Sequence, residues 1–385
     1  MLGRRRWRWL IPPASSSSTI FLLSLLLSSS GSVSADCECG YSYSYTTQPA
    51  KHHVFTEVTE SNFARLSGEV SSIRTNTDWI RQAFNLTAEE ARGDYGEMFA
   101  VENIQLQNDG GDGGLRLTVG SSLVQDMVPT AEIDTARMDM TTGTFRASIK
   151  LTGVPGTCAA FFWYYNDTQE IDMEFLSKDF NPQNKSYPVN LVLQSPQAAR
   201  MGYDASKTNN FLKAYLPFDP TLDFHEYRID YLPGTVFFYA DGVLLAQMDG
   251  AAVPSSPGHL VLRHWSNGNK LWSGGPPPVD AIMKVRYVKA YFNSSAPQRH
   301  EDWARRCRDG GTGTGTAANS ICRIPELTVA NVSAKDWFFS EKGNMTNNQT
   351  IYGLDSGAAG RRQSGRRGAV WALILATGWW ALMFA

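Results

Sequence analysis

The 385-residue sequence predicts one all-β domain, an antiparallel sandwich or barrel, between about residues 41 and 293. Three observations predict it. Short segments alternate apolar with polar residues, glycine-rich and proline turns separate them, and no long stretch has helical periodicity.

In chain order, the clearest strands are Leu115-Arg-Leu-Thr-Val119, Thr144-Phe-Arg-Ala-Ser-Ile-Lys-Leu151, Glu226-Tyr-Arg-Ile-Asp-Tyr231, Val236-Phe-Phe-Tyr-Ala240 and Met283-Lys-Val-Arg-Tyr-Val-Lys-Ala-Tyr-Phe292. Gly110-Gly-Asp-Gly-Gly114, Pro233-Gly234 and Asp241-Gly242 mark turns. Aromatic residues make up 12% of the chain, enough to line both a core and a binding groove.

One segment carries chemistry. In Thr168-Gln-Glu-Ile-Asp-Met-Glu-Phe-Leu176, a strand puts Glu170, Asp172 and Glu174 on one face and Ile171, Met173 and Phe175 on the other. Three acids in a row repel one another unless they are solvated or used. Glu170 and Glu174 are about 13 Å apart at Cα on a strand. Side chains leaning together close that to the roughly 5–5.5 Å carboxyl separation of a retaining glycosidase. One glutamate then attacks the anomeric carbon, and the other protonates the leaving oxygen and later activates water. Asp172 between them helps hold the two pKa values apart.

Both ends read as processing signals. Arg4, Arg5, Arg6 and Arg8 precede the apolar run Ile20-Phe-Leu-Leu-Ser-Leu-Leu-Leu27 and the small residues Val33-Ser-Ala35, so residues 1–35 are expected to be a signal peptide. At the other end, small residues around Ser356, a short arginine-bearing spacer and an apolar tail from Ala369 form a glycosylphosphatidylinositol-anchor signal. Ser356 is the expected attachment site and 357–385 the removed propeptide, which places the chain at the outer leaflet of the plasma membrane. Residues 294–356, with Gly310-Gly-Thr-Gly-Thr-Gly-Thr316 and polar sequon-rich sequence, read as a partly disulfide-pinned stalk holding the domain away from the membrane.

The two ends hold eight of the 35 basic residues and no acid, leaving 27 basic against 37 acidic residues, a net charge of −10. Such a surface argues against a nucleic-acid partner and suits a neutral sugar polymer. Seven sequons, at Asn85, Asn166, Asn184, Asn293, Asn331, Asn344 and Asn348, are candidate glycan acceptors; the one at Asn166 is expected at a hairpin tip or unmodified. Cys37, Cys39, Cys307 and Cys322 bracket the domain and are expected to pair, with connectivity open, while Cys158 reads as a buried free thiol acting as a small hydrophobe. The six histidines lack metal-ligand spacing, and the sequence has neither a phosphate-cradling glycine loop nor a Gly-x-Ser-x-Gly elbow.

The hexapeptide Glu170-Ile-Asp-Met-Glu-Phe175 resembles the active-site signature of glycoside hydrolase family 16. The resemblance extends through Thr142–Lys150, Gly156–Trp163, Asp223–Asp230 and Val236–Gly242, in order and spacing over about residues 55–293. It implies a concanavalin A-like jelly roll of two antiparallel sheets with a concave sugar-binding cleft. It also implies Glu170 as nucleophile, Asp172 as assisting acid and Glu174 as general acid/base. A single residue between Asp172 and Glu174 resembles the unbulged branch of lichenases, xyloglucan-modifying transglycosylases and fungal chitin–glucan crosslinking enzymes. Gln169 departs from the Asp or His common in relatives. His264-Trp-Ser-Asn-Gly-Asn-Lys-Leu-Trp272 and Gly274-Gly-Pro-Pro-Pro278 resemble the segment bordering the cleft, so Trp163, Trp265, Asn267 and Trp272 are the candidate sugar contacts.

The expected activity is a retaining endo-acting glycosidase on β-1,3 or β-1,3/1,4-glucan. A wall-remodelling transglycosylase or a lectin-like binder on the same fold is the alternative. The expected partner is a β-linked polysaccharide, the expected state a monomer. No cofactor is called for; some relatives bind a structural Ca²⁺, and the sequence locates no site for one.

Overall fold

Alternation of period two along the chain becomes two large sheets packed face to face. The computed structural model describes residues 37, 39–45, 48–66, 77–107, 112–307, 321–324 and 349–352. The expected signal peptide, the anchor signal with Ser356, and Asn331, Asn344 and Asn348 lie outside the described residues.

The first sheet runs in the order Val243–Asp249, Thr235–Ala240, His225–Leu232, Met140–Lys150, Ala281–Ser294, Glu57–Asn62 and Gln349–Tyr352. Gly114–Val119, paired with Ile104–Gln107, joins it on Ala281–Ser294. The five clearest strands expected from the sequence are all in this sheet. The second runs Phe211–Tyr215, Pro188–Gln194, Gln169–Leu176, Cys158–Asn166, His259–Trp265, Met127–Thr135, Gly96–Phe99 and Phe84–Leu86. Trp79–Arg81 also pairs with Met127–Thr135. Between the sheets lies one continuous core including Phe145, Ile149, Phe161, Ile171, Met173, Phe175, Ile229 and Phe238. This is the all-β, concanavalin A-like sandwich, not a barrel.

The outer face of the first sheet carries charges that would ordinarily meet water: Arg146, Glu226, Arg228, Asp230 and Lys289, all buried. A third, small sheet covers them, built from Gly40–Tyr45, Gln48–Phe55 and Ile321–Arg323. The Arg228 guanidinium lies 4.4 Å from the Tyr43 ring centre and 3.9 Å from that of Tyr239, and its Nη2 reaches Asp230 at 2.5 Å. A buried charge needs a partner of this kind, because desolvation alone costs several kcal/mol. The expected pairing of the four outer cysteines is present as Cys37–Cys322 and Cys39–Cys307.

Where it is described, the stretch expected as a partly disulfide-pinned stalk from residue 294 carries regular structure. Pro297–Cys307 is helical, Ile321–Arg323 pairs parallel with Gly40–Tyr45, and Gln349–Tyr352 pairs parallel with Glu57–Asn62. Disulfides and strand pairing return this sequence to the domain. Among the described residues no helix is long and apolar enough to cross a membrane.

Candidate active site

Side-chain parity on Gln169–Leu176 places Ile171, Met173 and Phe175 in the core. Glu170, Asp172 and Glu174 therefore stand on the opposite, outer face of the second sheet. Glu170 and Glu174 are half-buried, and Asp172 between them is 3% exposed. Across the Cys158–Asn166 hairpin partner, Tyr164 faces Glu170, Phe162 faces Asp172 and Ala160 faces Glu174. On the other side stand Gln194, Val192 and Asn190. The hairpin's own turn fixes this register, with Asn166 Oδ1 accepting from Thr168 N and Oγ1 at 3.0 Å each. Gln169 pins the same turn by accepting from Ser255 N and Ser256 N and donating to Ser256 Oγ.

The far end of the pair is locked from behind. Thr157 N donates to Ser177 Oγ at 2.9 Å, and Ser177 N returns a bond to Thr157 O at 2.9 Å. Buried His264 stands behind Thr157. Its Nδ1 donates to Leu117 O at 2.9 Å, so its Nε2 accepts from Thr157 Oγ1 at 3.0 Å. Burial pushes the imidazole down to about 4, so it is neutral.

The three acids hold their protons unequally. Burial pushes Glu174 up to about 7; a hydrogen bond from Trp272 opposes the rise, and the charge of Glu170 adds to it. Trp272 Nε1 donates to Glu174 Oε1 at 3.2 Å, and the Cys158 thiol faces that oxygen at 3.6 Å. Asp172 is pushed well above the carboxylate range, first by burial and then by the charge of Glu170, with which it shares a hydrogen bond. A protonated Asp172 is the donor in that bond. Glu170 is also raised by burial, but the Asp172 hydrogen bond and the charges of Arg263 and Arg92 all favour its ionised form.

A second polar cluster adjoins the acids on the same face. Arg263, opposite Ala160 and Glu132 in the ladder, pairs with Glu97 and reaches Glu132 at 3.3 Å. Its guanidinium lies 4.6 Å from the Phe99 ring centre and 5.4 Å from that of Trp265. Burial, then the charge of Glu132, pushes neighbouring Asp134 up to about 8.

Of the four expected sugar contacts, two are on this face. Trp265 stands opposite Cys158, half-buried, and Trp272 leans over Glu174. Trp163 is not a sugar contact. It pairs with Ile171, is 0% exposed, donates Nε1 to Met140 O at 3.3 Å and packs on Tyr231. The bare Cα of Gly258 makes room for it, since a Cβ there would meet the indole at 2.6 Å. Asn267 is likewise structural. Buried, it donates to Ala91 O at 2.6 Å and accepts from Asn269 N and Ser273 Oγ, holding two loops together.

Cys158 is free and buried as expected, yet it faces the acids rather than the core. Exposed Asn166 stands at the hairpin tip, and Asn85 and Asn184 are exposed as well. Asn293 departs from the picture of a free acceptor, because its amide nitrogen donates to Thr142 Oγ1 at 3.3 Å and faces Val54 O at 3.5 Å. Among the described residues no group of three or more His, Cys, Asp or Glu side chains is arranged to hold a metal ion. Sequence reasoning passed over Arg263 altogether, although its alternation with Trp265 on one strand was a usable signal.

Two carboxyl groups of unequal proton affinity on one face, with indoles beside them, suit cleavage of an acetal between sugars. The chain is similar to several known proteins. A beta-glucanase of Paenibacillus macerans is 30% identical over 241 residues, covering 58% of this chain and 91% of that protein. A probable xyloglucan endotransglucosylase/hydrolase of Arabidopsis thaliana is 26% identical over 211 residues, covering 51% and 58%. Among solved structures, the catalytic domain of an endo-1,3-beta-glucanase (laminarinase) from Thermotoga petrophila superposes with a TM-score of 0.49 at 19% identity, covering 63% of this chain and 99% of that one. A family model, that of glycosyl hydrolases family 16, matches residues 94–289. The chain belongs to glycosyl hydrolases family 16 and is an O-glycosyl hydrolase.

Proposed function

We propose that the protein is a retaining, endo-acting glycosidase of β-1,3 or β-1,3/1,4-glucan, working by double displacement through a covalent glycosyl-enzyme. The observation that carries this is the placement of Glu170, Asp172 and Glu174 on one outer strand face, with the Trp272 indole donating to Glu174. Ionised Glu170 attacks the anomeric carbon, and the bond to the leaving oxygen breaks as Glu174 delivers its proton to that oxygen. Water, losing a proton to Glu174, then displaces Glu170 and restores both groups. Asp172 donates its proton in a hydrogen bond to Glu170 throughout and steadies the nucleophile's charge. Trp265 and Trp272 offer flat apolar faces to the sugar rings.

Interception of the same intermediate by a sugar hydroxyl gives transglycosylation, the second reading. The Arabidopsis relative, whose name joins both activities, supports keeping it. The terminal sequences support a secreted chain carried on a glycosylphosphatidylinositol anchor, where cell-wall glucan is the natural substrate. The sequons at Asn85, Asn166 and Asn184 are its proposed glycan sites among the described residues.

The test is reducing-end release and oligosaccharide transfer from laminarin, lichenan and xyloglucan by the native chain, Glu170→Gln and Glu174→Gln. Loss of turnover in both variants with binding retained supports the proposal. Binding without turnover by the native chain leaves a lectin-like protein instead.

A further inference from the structure

We propose that Arg92 and Tyr203 are specificity-determining residues: their contact bars the groove above Glu170, so a glucan chain running across the acids must part them. This rests on the reading of the Glu170–Glu174 face as the substrate groove.

The two residues are rooted on opposite sides of that face. Arg92 follows the Ala88–Ala91 helical turn and precedes Gly96–Phe99, near one edge of the second sheet. Tyr203 lies in the connection between Pro188–Gln194 and Phe211–Tyr215, at the other edge. From Pro188–Gln194 to Gly96–Phe99 the strand order has five gaps, which at ~4.8 Å each place the roots on the order of 24 Å apart along a flat sheet. Yet the Arg92 guanidinium lies 4.7 Å from the centre of the Tyr203 ring. Such an approach requires both connections to lean in from their edges of the sheet. The connection bearing Tyr203 lies on that face, where Ala198 and Ala205 pack on Val192, the ladder partner of Asp172, and the charge of Arg92 is felt by both Glu170 and Glu97.

Both partners are held in place at a conformational cost. Arg92 and Tyr203 have φ of 57° and 62°, a region non-glycine residues seldom adopt. Arg92 is fixed by its own N–H to Glu89 O and by Asn269 Nδ2 donating to Arg92 O at 3.1 Å. Tyr203 N donates to Ala198 O at 2.9 Å, and Gln194 Nε2 donates to Tyr203 O at 3.4 Å. Arg92 is exposed and Tyr203 is 38% exposed, so the contact is made in solvent and can open without unpacking the core. An exposed cation–ring contact of this kind is a weak latch. A polymer spanning the groove must open it, whereas a short oligosaccharide can seat on one side.

The test measures affinity for laminarin and for a short laminari-oligosaccharide by calorimetry, beside turnover, in the full chain. Arg92→Ala and Tyr203→Ala should each bind laminarin about two- to fivefold more tightly than the native protein. The oligosaccharide should respond less, and Tyr203→Phe, which keeps the ring, should match the native protein. The double variant should gain no more than the better single variant, because the pair acts as one unit. Unchanged or weaker laminarin affinity in both single variants, or gains that add in the double, overturns the proposal. Turnover by Glu170→Gln would sink the catalytic reading separately, while the affinities would still judge the latch.

Discussion

Trp272 Nε1 and the Cys158 thiol converge on one oxygen of Glu174, Oε1, at 3.2 and 3.6 Å. Oε2 stands outside both contacts and is the oxygen free to carry a transferable proton. The two donors hold the carboxyl's orientation and restrain its affinity for that proton, against burial.

Removing the indole donor therefore has a definite sign. Trp272→Phe keeps the flat ring but loses the hydrogen bond that favours the charged form. The proton affinity of Glu174 should rise above its value of about 7. The basic limb of kcat/KM should move to higher pH, while kcat falls on the order of tenfold from lost orientation. A pH–rate profile with the basic limb unmoved or shifted down would reject the assignment of Glu174 as the acid.

Asp172 acts on Glu170 as a hydrogen-bond donor. Asp172→Asn retains a donor and should cost kcat on the order of tenfold or less. Asp172→Ala should cost on the order of a hundredfold, because a bond to a charged group is worth about 1.5–3 kcal/mol. With the bond gone, Glu170 ionises less readily, so the acidic limb should shift upward in the alanine variant. Equal losses in both variants would show that the Asp172 charge, not its proton, matters.

Asp134 makes a prediction about stability. Burial raises it from 3.8 to about 8 in the folded protein. The folded chain thus keeps a proton that the unfolded chain releases, and stability falls as pH rises through that window. Asp134→Asn removes the titration. Its melting temperature should exceed that of the native protein at pH 8, with the gap shrinking toward pH 4. Thermal melts followed by circular dichroism at both ends decide it, and an equal gap at both would contradict the assignment.

The disulfides Cys37–Cys322 and Cys39–Cys307 close separations of 285 and 268 residues. A long closure restricts the unfolded chain by on the order of 5 kcal/mol by chain entropy, and the second, nested inside the first, adds on the order of 3 kcal/mol. The paired substitution Cys39→Ala with Cys307→Ala should lower the denaturant midpoint clearly. It should leave KM near its native value, because neither cysteine lies on the acid-bearing face.

Much of this was legible because parity is legible. Glu170, Asp172 and Glu174 alternate with apolar residues, so one strand assignment sets all three on a shared face, where the structure puts them. Parity failed on Cys158-Ala-Ala-Phe-Phe-Trp163, a run apolar on both faces because one side meets the core and the other a small apolar cluster on the acid-bearing face. The hairpin register resolves it. Asn166 pairs with Gln169 and Tyr164 with Glu170, which sends Trp163 inward and Cys158 outward. Asn267 escapes sequence reading for another reason: it joins two loops, Ala91–Arg92 and Asn269–Ser273, whose meeting is a tertiary fact. Arg92 and Tyr203 belong to the same class, 111 positions apart in sequence and in contact in space.

The most direct measurement is covalent trapping with a 2-deoxy-2-fluoro β-glucoside bearing a good leaving group, followed by peptide mass spectrometry. The fluorine slows release, so a double-displacement enzyme accumulates its glycosyl ester. A single adduct on the peptide carrying Glu170, absent in Glu170→Gln, is the expected result. Turnover of the natural glucan with no adduct, or an adduct on Glu174 or elsewhere, would contradict the assignment of Glu170 as nucleophile.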